Sequence, residues 1–160
     1  MIFVSLGSQK FQFNRLLYFI DSLIEEGVIK EDVFAQIGNS DYKPNLFKYD
    51  DFLSRNDYID KIKQSSYVIT HSGTGAIVTA LKKEKKIIVI PRLSEFGEHV
   101  DNHQIEIANI FYQTNLVLVA QDYDSLKKSI MKIDTWTPAI FSGNNDSYLN
   151  FLTEYIENEG

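Results

Sequence analysis

The sequence contains no cysteine, and this absence excludes several kinds of protein at once. A disulfide framework, a thiolate metal site and a cysteine nucleophile all require that residue. Positive charge is also scarce, because 22 acidic residues against 16 lysines and arginines give a net charge of −6. This balance argues against a nucleic-acid partner held mainly through phosphate contacts.

Long apolar runs are missing as well. No stretch approaches the ~20 consecutive apolar residues of a membrane-spanning helix. The first residues, MIFVSLG, lack the basic region and the long apolar core of a signal peptide. We therefore expect a cytoplasmic chain whose membrane contact, if any, is peripheral. Its 160 residues are enough for one domain with a buried core.

What the sequence does contain is a regular alternation of strand-like and helix-like segments. Short apolar runs of β-favouring residues occur at 2–6, 33–37, 47–49, 67–70, 87–91 and 116–119. Apolar residues at helical spacing predict helices at 16–24, 54–65, 76–83, 105–111 and 123–133. Such alternation is typical of βαβ units. It predicts an open, Rossmann-like α/β sandwich with about six parallel strands over residues 1–135.

The segment HSGTG at residues 71–75 joins the predicted fourth strand to the helix after it. In the usual strand order 3-2-1-4-5-6, this segment faces the loop GSQKF that follows the first strand. Gly73 and Gly75 can adopt backbone angles closed to other residues and carry no Cβ to block a ligand. With the helix N-terminus and the hydroxyls of Ser72 and Thr74, they would form a diphosphate cradle. The alternative is that Gly-Thr-Gly merely eases a strand-to-helix turn.

Neither loop carries a familiar nucleotide fingerprint. GTGAIV lacks the third glycine of Gly-x-Gly-x-x-Gly, and no Gly-Lys-Ser/Thr follows the loop as in a P-loop. The sequence therefore argues against both NAD enzymes and P-loop ATPases.

A second polar stretch, RLSEFGEHVDNHQ at residues 92–104, lies between the fifth predicted strand and the next helix. Its density of donors and acceptors indicates recognition of a hydroxyl-rich ligand. Two alternatives remain open. His99 and His103 are four residues apart with Asp101 between them, as in some metal sites. Asp101 or Asn102 could instead cap the helix, with the remaining side chains solvated.

These two stretches, HSGTGAIVTALKKEKKIIVIPR and FGEHVDNHQ, resemble the glycosyltransferase family 28 C-terminal domain. The resemblance runs from FVSLGSQKFQFNRLL to about Lys132 and is strongest for small bacterial polysaccharide-synthesis subunits, each the nucleotide-sugar half of a split enzyme. A similar split occurs in the eukaryotic enzyme that adds the second N-acetylglucosamine to a dolichol-linked sugar. The resemblance implies the C-terminal half of a GT-B fold that binds a UDP-sugar without a cofactor or metal.

The resemblance also assigns substrate-binding roles to three groups of residues, namely a cleft wall, a diphosphate cradle and a sugar-binding pair. They are, in that order, Gly7, Ser8 and Gln9; His71, Ser72, Gly73, Thr74 and Gly75; and His103 and Gln104. Thr79 takes a position that is often acidic in relatives, where a carboxylate bonds the ribose hydroxyls. We therefore expect a weaker ribose contact from Thr79.

The reaction implied by the resemblance is a metal-independent and usually inverting transfer of a hexose to a lipid-diphosphate-linked saccharide. It would serve capsular or exopolysaccharide synthesis. Glu98 and His99 are the candidate general bases, unless the partner supplies that group. A membrane-associated partner subunit would supply the other half of the enzyme and the acceptor, and would hold the chain at the inner face of the membrane. The alternative is a non-catalytic nucleotide-binding or regulatory module that enhances a partner.

Residues 136–160 are predicted to be a loop followed by a helix. The apolar residues at helical spacing are Tyr148, Leu149, Leu152, Tyr155 and Ile156. We expect this extension to dock the partner, because the last helix of intact GT-B enzymes returns to the other domain. Packing against the chain's own helices remains the alternative.

Overall fold

The computed structural model describes residues 1–141, which contain a single parallel β-sheet. Its strands are β1 (Ile2–Ser5), β2 (Val33–Gln36), β3 (Lys48–Asp50), β4 (Tyr67–His71), β5 (Ile87–Ile90) and β6 (Leu118–Val119). Their order is β3-β2-β1-β4-β5-β6, with every neighbouring pair parallel. The predicted fold class and strand order are thereby confirmed.

Helices connect the strands at the predicted places, with ends shifted by a few residues. They are α1 (Asn14–Glu25), α2 (Arg55–Gln64), α3 (Thr74–Lys82), α4 (His103–Gln113) and α5 (Tyr123–Lys132), with a short 3₁₀ turn at Ser94–Phe96. The sixth strand is shorter than predicted, because only Leu118 and Val119 pair with β5. Local sequence explains several ends. Ser54 caps α2 by accepting a hydrogen bond from the N–H of Asp57, and Gly27 ends α1 with a φ of 80°.

The sheet has a hydrophobic core on each face, as expected for a parallel sheet covered by helices on both sides. Ile2 and Val4 of β1 pack in one core with α1 and α5, whereas Phe3 packs in the other with α2, α3 and α4. Neighbouring residues of a strand point to opposite faces, so a buried parallel strand is apolar at every position. The continuous apolar runs of the sequence follow from this geometry.

The strand order brings the loops that leave β1 and β4 together. These strands are neighbours, with Ile2 paired to Tyr67 and Ser5 to Thr70. The connection after β1 leads to α1 on one face, and the connection after β4 leads to α3 on the other. The two loops therefore diverge and leave a crevice at the carboxyl edge of the sheet.

The beginning of the predicted C-terminal extension is attached to the main domain. Asn115 accepts hydrogen bonds from the indole of Trp136 and, through its backbone oxygen, from the N–H of Ala139. Its side-chain amide donates to the oxygen of Thr137. The predicted helix at residues 148–156 and its docking role lie outside the described residues. No helix within residues 1–141 combines the length and the apolar character needed to cross a bilayer.

Candidate functional site

A cleft of about 720 Å³ opens at the carboxyl edge of the sheet, where the loops after β1 and β4 diverge. Except for Glu98, the site residues predicted from the sequence all line it. They are Gly7, Ser8, Gln9, His71, Ser72, Gly73, Thr74, Gly75, Thr79, His99, His103 and Gln104. A cleft of this volume is large enough for a small ligand such as a nucleotide sugar.

The N-terminus of α3 forms one wall of the cleft. Its first turn has N–H groups without acceptors inside the helix, and the first intrahelical bond runs from the N–H of Ile77 to the oxygen of Gly73. The Ser72 and Thr74 hydroxyls are buried and have no hydrogen-bond partner within residues 1–141. Buried polar atoms without partners are rare in folded proteins. This wall therefore offers donors and a positive dipole end to a ligand.

Of the two glycines on this wall, Gly73 serves a different purpose from the ones predicted. Gly73 has an ordinary extended backbone, with φ −91° and ψ 128°, and Gly75 has no positive φ. A Cβ on Gly73 would lie 2.4 Å from Cε1 of His71, and one on Gly7 would lie 2.5 Å from Nε2 of that ring. Gly7 and Gly73 therefore make room for the His71 ring. Gly75 has nothing within 4 Å of its Cβ position and leaves space for a ligand.

His71, at the end of β4, is buried and bonded to Gln104 at the start of α4. Nε2 of Gln104 lies 3.2 Å from Nδ1 of His71, and its Oε1 accepts hydrogen bonds from the N–H groups of Ser72 and Arg92 at 3.1 and 3.0 Å. Burial lowers the pKa of His71 to about 3, with the nearby Arg92 charge acting in the same direction. His71 is therefore neutral at pH 7. Gln104 was predicted to bind the sugar, yet its carboxamide oxygen is committed to the protein itself.

Glu98 lies outside the cleft, and its predicted role as a base has to be revised. Its carboxylate is buried and accepts hydrogen bonds from Nε and Nη2 of Arg15, both at 3.0 Å, and from the N–H of Leu93. Both carboxylate oxygens are therefore occupied. A group held in this way stabilises the loop after β5, and it cannot accept a proton from a substrate in the cleft.

Arg92 connects the same loop to the loop after β1. Its guanidinium is buried and donates to the backbone oxygens of Leu6, Phe11 and Gln12. Burial lowers the pKa of Arg92 to about 10, partly offset by Glu98, so the side chain remains charged at pH 7. The polar residues after β5 thus position the opposite wall of the cleft.

Three side chains near the cleft mouth form a chain of contacts centred on Asp101. Its carboxylate lies 3.1 Å from Nδ1 of His99 and 3.4 Å from Nε2 of His103. It also accepts a hydrogen bond from the N–H of His103, the first residue of α4, whereas the side chain of the N-cap residue Asn102 makes no capping bond. The part of the chain that the structure describes contains no group of three or more His, Cys, Asp or Glu residues arranged to hold a metal.

Thr79 lines the cleft one turn beyond the N-terminus of α3. Its hydroxyl donates to the backbone oxygen of Gly75 at 2.7 Å, a common arrangement for threonine within a helix. Only the lone pairs of that hydroxyl remain for a ligand. The weaker ribose contact expected at this position stays a prediction.

Three further residues that line the cleft were not predicted from the sequence. Gln36 ends β2, and Arg55 and Tyr58 lie in the first turn of α2. The Tyr58 hydroxyl lies 2.7 Å from Oγ of Ser5 at the end of β1. The signal was available in the topology, because every helix that follows a parallel strand begins near the same edge of the sheet.

Relatives of known name share parts of this sequence. The UDP-N-acetylglucosamine transferase subunit ALG13 of Candida albicans is 34% identical over 122 residues, which cover 76% of this chain and 36% of that protein. Its namesake from Yarrowia lipolytica is 31% identical over 85 residues, covering 53% and 41%. The matched parts of this chain therefore span less than half the length of these relatives.

Solved glycosyltransferases share the fold. The chain aligns with the glycotransferase of kitacinnamycin at a TM-score of 0.57 and 18% identity, over 82% of this chain and 34% of that one. For SnogD from Streptomyces nogalater the TM-score is 0.53, with 16% identity over 84% and 38%. At these identities the likeness concerns the fold alone, a Rossmann-like half of a GT-B architecture.

The family comparison covers nearly the whole sequence. The sequence model described as the glycosyltransferase family 28 C-terminal domain matches residues 1–157. That span includes both loops of the cleft and every helix and strand described above. The chain belongs to the glycosyltransferase family 28 C-terminal domain family.

Proposed function

We propose that this chain is the donor-binding, catalytic subunit of a two-component glycosyltransferase. It transfers a hexose from a UDP-sugar to a lipid-diphosphate-linked saccharide. The observation that carries the proposal is the N-terminus of α3, which faces the cleft with two buried hydroxyls that have no partner within residues 1–141. Membership of a glycosyltransferase family supports the reaction class.

A diphosphate satisfies the groups on this wall. The N–H groups at the start of α3 and the hydroxyls of Ser72 and Thr74 are all donors, and the helix dipole favours negative charge at this end. Arg55, on the rim of the same cleft, adds a cation. These groups would also stabilise the charge that develops on UDP as it leaves the sugar.

The names of the relatives support UDP-N-acetylglucosamine as the first donor to test, because they are called UDP-N-acetylglucosamine transferase subunits. His103 and Gln104 line the cleft and are the proposed contacts to the sugar hydroxyls. Use of the product in capsular or exopolysaccharide synthesis is part of the proposal.

His99 replaces Glu98 as the proposed base on this chain. Its Nδ1 lies 3.1 Å from the Asp101 carboxylate, closer than the 3.4 Å to the N–H of Asp101, which favours a proton on Nδ1. Nε2 is then the basic nitrogen, and it would take the proton of the acceptor hydroxyl as that oxygen attacks the sugar. Attack on the face opposite the departing UDP inverts the anomeric carbon.

The acceptor side of the enzyme is assigned to a membrane-associated partner, which would hold this chain at the membrane surface. The word "subunit" in the names of the relatives supports a partner. Val100, beside the cleft, is 71% exposed, and the nearby Phe96 is 49% exposed. Apolar side chains at the rim of a polar cleft are suited to burial by a second protein.

The donor site can be tested by thermal unfolding of the full chain with UDP, UMP and UDP-N-acetylglucosamine, in magnesium and in EDTA. A ligand that binds only the folded state raises the midpoint. We expect UDP to raise it more than UMP does, to the same extent with and without magnesium. An unchanged midpoint with millimolar UDP, for the chain alone and with its co-purified partner, would refute the proposed site.

One observation favours the second candidate, a non-catalytic module that binds a nucleotide and enhances its partner. The Thr79 hydroxyl donates to the Gly75 oxygen, so it offers the ribose a neutral acceptor where a carboxylate would offer a charged one. A transfer assay with the co-expressed partner separates the two functions. If the chain is catalytic, we expect Asp101→Asn to lower kcat at least tenfold with little change in KM. Equal rates for wild type and variant would favour the non-catalytic module.

A further inference from the structure

The orientation of the Gln104 side chain is determined by its surroundings. The carboxamide oxygen lies 3.1 Å from the backbone nitrogen of Ser72 and 3.0 Å from that of Arg92. Backbone N–H groups can only donate, so the atom between them has to be the oxygen. The amide nitrogen of Gln104 is therefore the atom that faces His71.

This orientation determines where His71 carries its proton. The Gln104 NH₂ group can only donate, and it lies 3.2 Å from Nδ1 of His71. Nδ1 has to be the acceptor of that bond, and in a neutral imidazole the proton then resides on Nε2. His71 is thereby held as the Nε2–H tautomer by a network that ends on two backbone N–H groups.

Nε2 of His71 lies between the two loops that form the cleft. It would be 2.5 Å from a Cβ on Gly7 and 2.7 Å from a Cβ on Gly73, so both glycines are needed for the ring to occupy this place. His71 lines the cleft, and no hydrogen bond to Nε2 is present within residues 1–141. His71 shares the cleft with Ser72 and Thr74, whose hydroxyls also have no partner within residues 1–141.

We propose that Gln104 is a positioning residue that fixes His71 as the Nε2–H tautomer, and that this N–H donates to an oxygen of the bound diphosphate. The second half of this statement rests on the proposed function. It also gives Gln104 a role different from direct recognition of the sugar, because the amide acts on the ligand through the imidazole.

A neutral donor with a fixed tautomer has a physical advantage at this place. Burial of the His71 ring disfavours its protonated form and lowers its pKa, and the Arg92 guanidinium acts in the same direction. The imidazole therefore offers the same N–H to the ligand throughout the physiological pH range. A histidine free to choose its tautomer would present a lone pair to the phosphate part of the time and repel it.

The tautomer can be measured directly without any ligand. The chain has three histidines, so the imidazole nitrogens can be assigned by ¹⁵N NMR with His99→Asn and His103→Asn as references. For His71 we expect a protonated Nε2 and an unprotonated Nδ1, unchanged between about pH 5 and 8. An Nδ1–H tautomer, a mixture, or an imidazolium in this range would overturn the proposal. This measurement uses the wild-type chain and does not depend on UDP binding.

The effect on the ligand is tested with Gln104→Glu, which keeps the shape of the side chain but replaces the donor with an acceptor. In this variant the carboxylate would accept a hydrogen bond from Nδ1 of His71, so the neutral imidazole would carry its proton on Nδ1. Nε2 would then present a lone pair to the cleft. Only the protonated imidazolium would keep an N–H at Nε2. We expect UDP affinity of this variant to match the wild type near pH 6 and to fall roughly tenfold relative to it by pH 8.5, a loss typical of one hydrogen bond to a charged group. Gln113→Glu, exposed near the end of α4, controls for the added charge.

Each outcome separates the two claims. If Gln104→Glu binds UDP with the wild-type affinity and pH profile, His71 does not contact the diphosphate and the second claim is wrong. If the wild-type tautomer is as expected but UDP does not bind, the proposed function fails while the positioning role of Gln104 stands. Should Gln104→Glu not fold, Gln104→Met removes the donor without adding charge. We then expect both tautomers of His71 in the NMR spectrum, and retention of the Nε2–H form alone would contradict the positioning role.

Discussion

Two polar segments meet at the cleft and use their polar groups in opposite ways. In the cradle segment, residues 71–75, the hydroxyls of Ser72 and Thr74 are buried without partners within the described residues. In the bridging segment, residues 92–104, most polar groups of Arg92, Glu98 and Gln104 are bonded within the protein, although Nε of Arg92 has no partner within the described residues. Both segments look like ligand sites in the sequence. A high density of polar residues in a sequence can therefore indicate either recognition of a ligand or hydrogen bonding that holds the walls of the site together.

The difference has a physical cause. The bridging segment has only one short 3₁₀ turn, so most of its backbone groups need side-chain partners when they are buried. Glu98 and Gln104 accept from the N–H groups of Leu93 and Arg92, while the Arg92 guanidinium reaches across to the loop after β1. The cradle segment opens a helix instead, and a helix begins with N–H groups that have no internal acceptor.

The largest effect should come from removing the buried charge of the bridging segment. Glu98→Ala leaves Arg15 without its carboxylate and removes a negative charge near Arg92, and breaking a buried pair in this way costs about 3–5 kcal/mol of stability. Urea unfolding of both proteins measures the difference. The exposed pair Lys43–Asp51 provides the control, since Asp51→Ala should change stability by less than about 1 kcal/mol. Equal and small losses for the two variants would show that Glu98 is not structural.

A second prediction concerns pH and connects the two segments through His71. The unfolded chain binds a proton on this histidine below its ordinary pKa of about 6.5, whereas the folded chain does so only near a pKa of about 3. Because the unfolded state binds more protons in this window, stability falls as the pH falls from 6.5 toward 3, by at most about 1.4 kcal/mol per pH unit. His71→Asn should lack this component. Denaturant unfolding from pH 7 to 5 tests it, and parallel curves for the two proteins would contradict it.

Much of this molecule could be predicted from its sequence, because the fold depends on periodicity. The continuous apolar runs of β1, β4 and β5 predicted buried parallel strands, and the standard order of such strands placed HSGTG opposite the loop after β1. The lengths of β3 and β6 were harder to predict, since edge strands are defined by the few residues that pair with a neighbour.

The candidate site was predictable in its location but only partly in its chemistry. The cleft residues in the loops after β1, β4 and β5 were predicted because they follow strands at one edge of the sheet, whereas those from β2 and α2 were not. The structural role of Glu98 was not predicted, because its buried ion pair with Arg15 joins residues 83 positions apart and no local sequence pattern reveals it. The reason for Gly73 was missed in the same way, since it depends on the position of the His71 ring.

A third prediction separates the two glycines of the cradle segment. Gly73→Ala places a Cβ 2.4 Å from His71, so the ring has to move, and overpacking of this kind costs about 1–3 kcal/mol. The Cβ of Gly75→Val has no neighbouring atom within 4 Å, and stability should stay within about 1 kcal/mol of wild type, because valine and glycine differ little in a helix. Both variants should lose the UDP-induced rise in melting temperature. A normal rise with Gly75→Val would show that no ligand occupies the space beside α3.

The smallest expected effect is also the one that best separates a ligand site from ordinary packing. Ser72→Ala removes a buried hydroxyl that has no partner within the described residues, so the unliganded chain should lose no stability and can gain up to about 1 kcal/mol. The same change removes a donor from the proposed diphosphate site and should weaken UDP binding roughly tenfold. Calorimetric titration with UDP and urea unfolding measure the two quantities. Ser5→Ala serves as the comparison, because its hydroxyl is bonded to Tyr58 and its loss should lower stability instead. If Ser72→Ala is destabilising and leaves UDP affinity unchanged, the hydroxyl belongs to the protein's own packing and the cradle segment resembles the bridging segment after all.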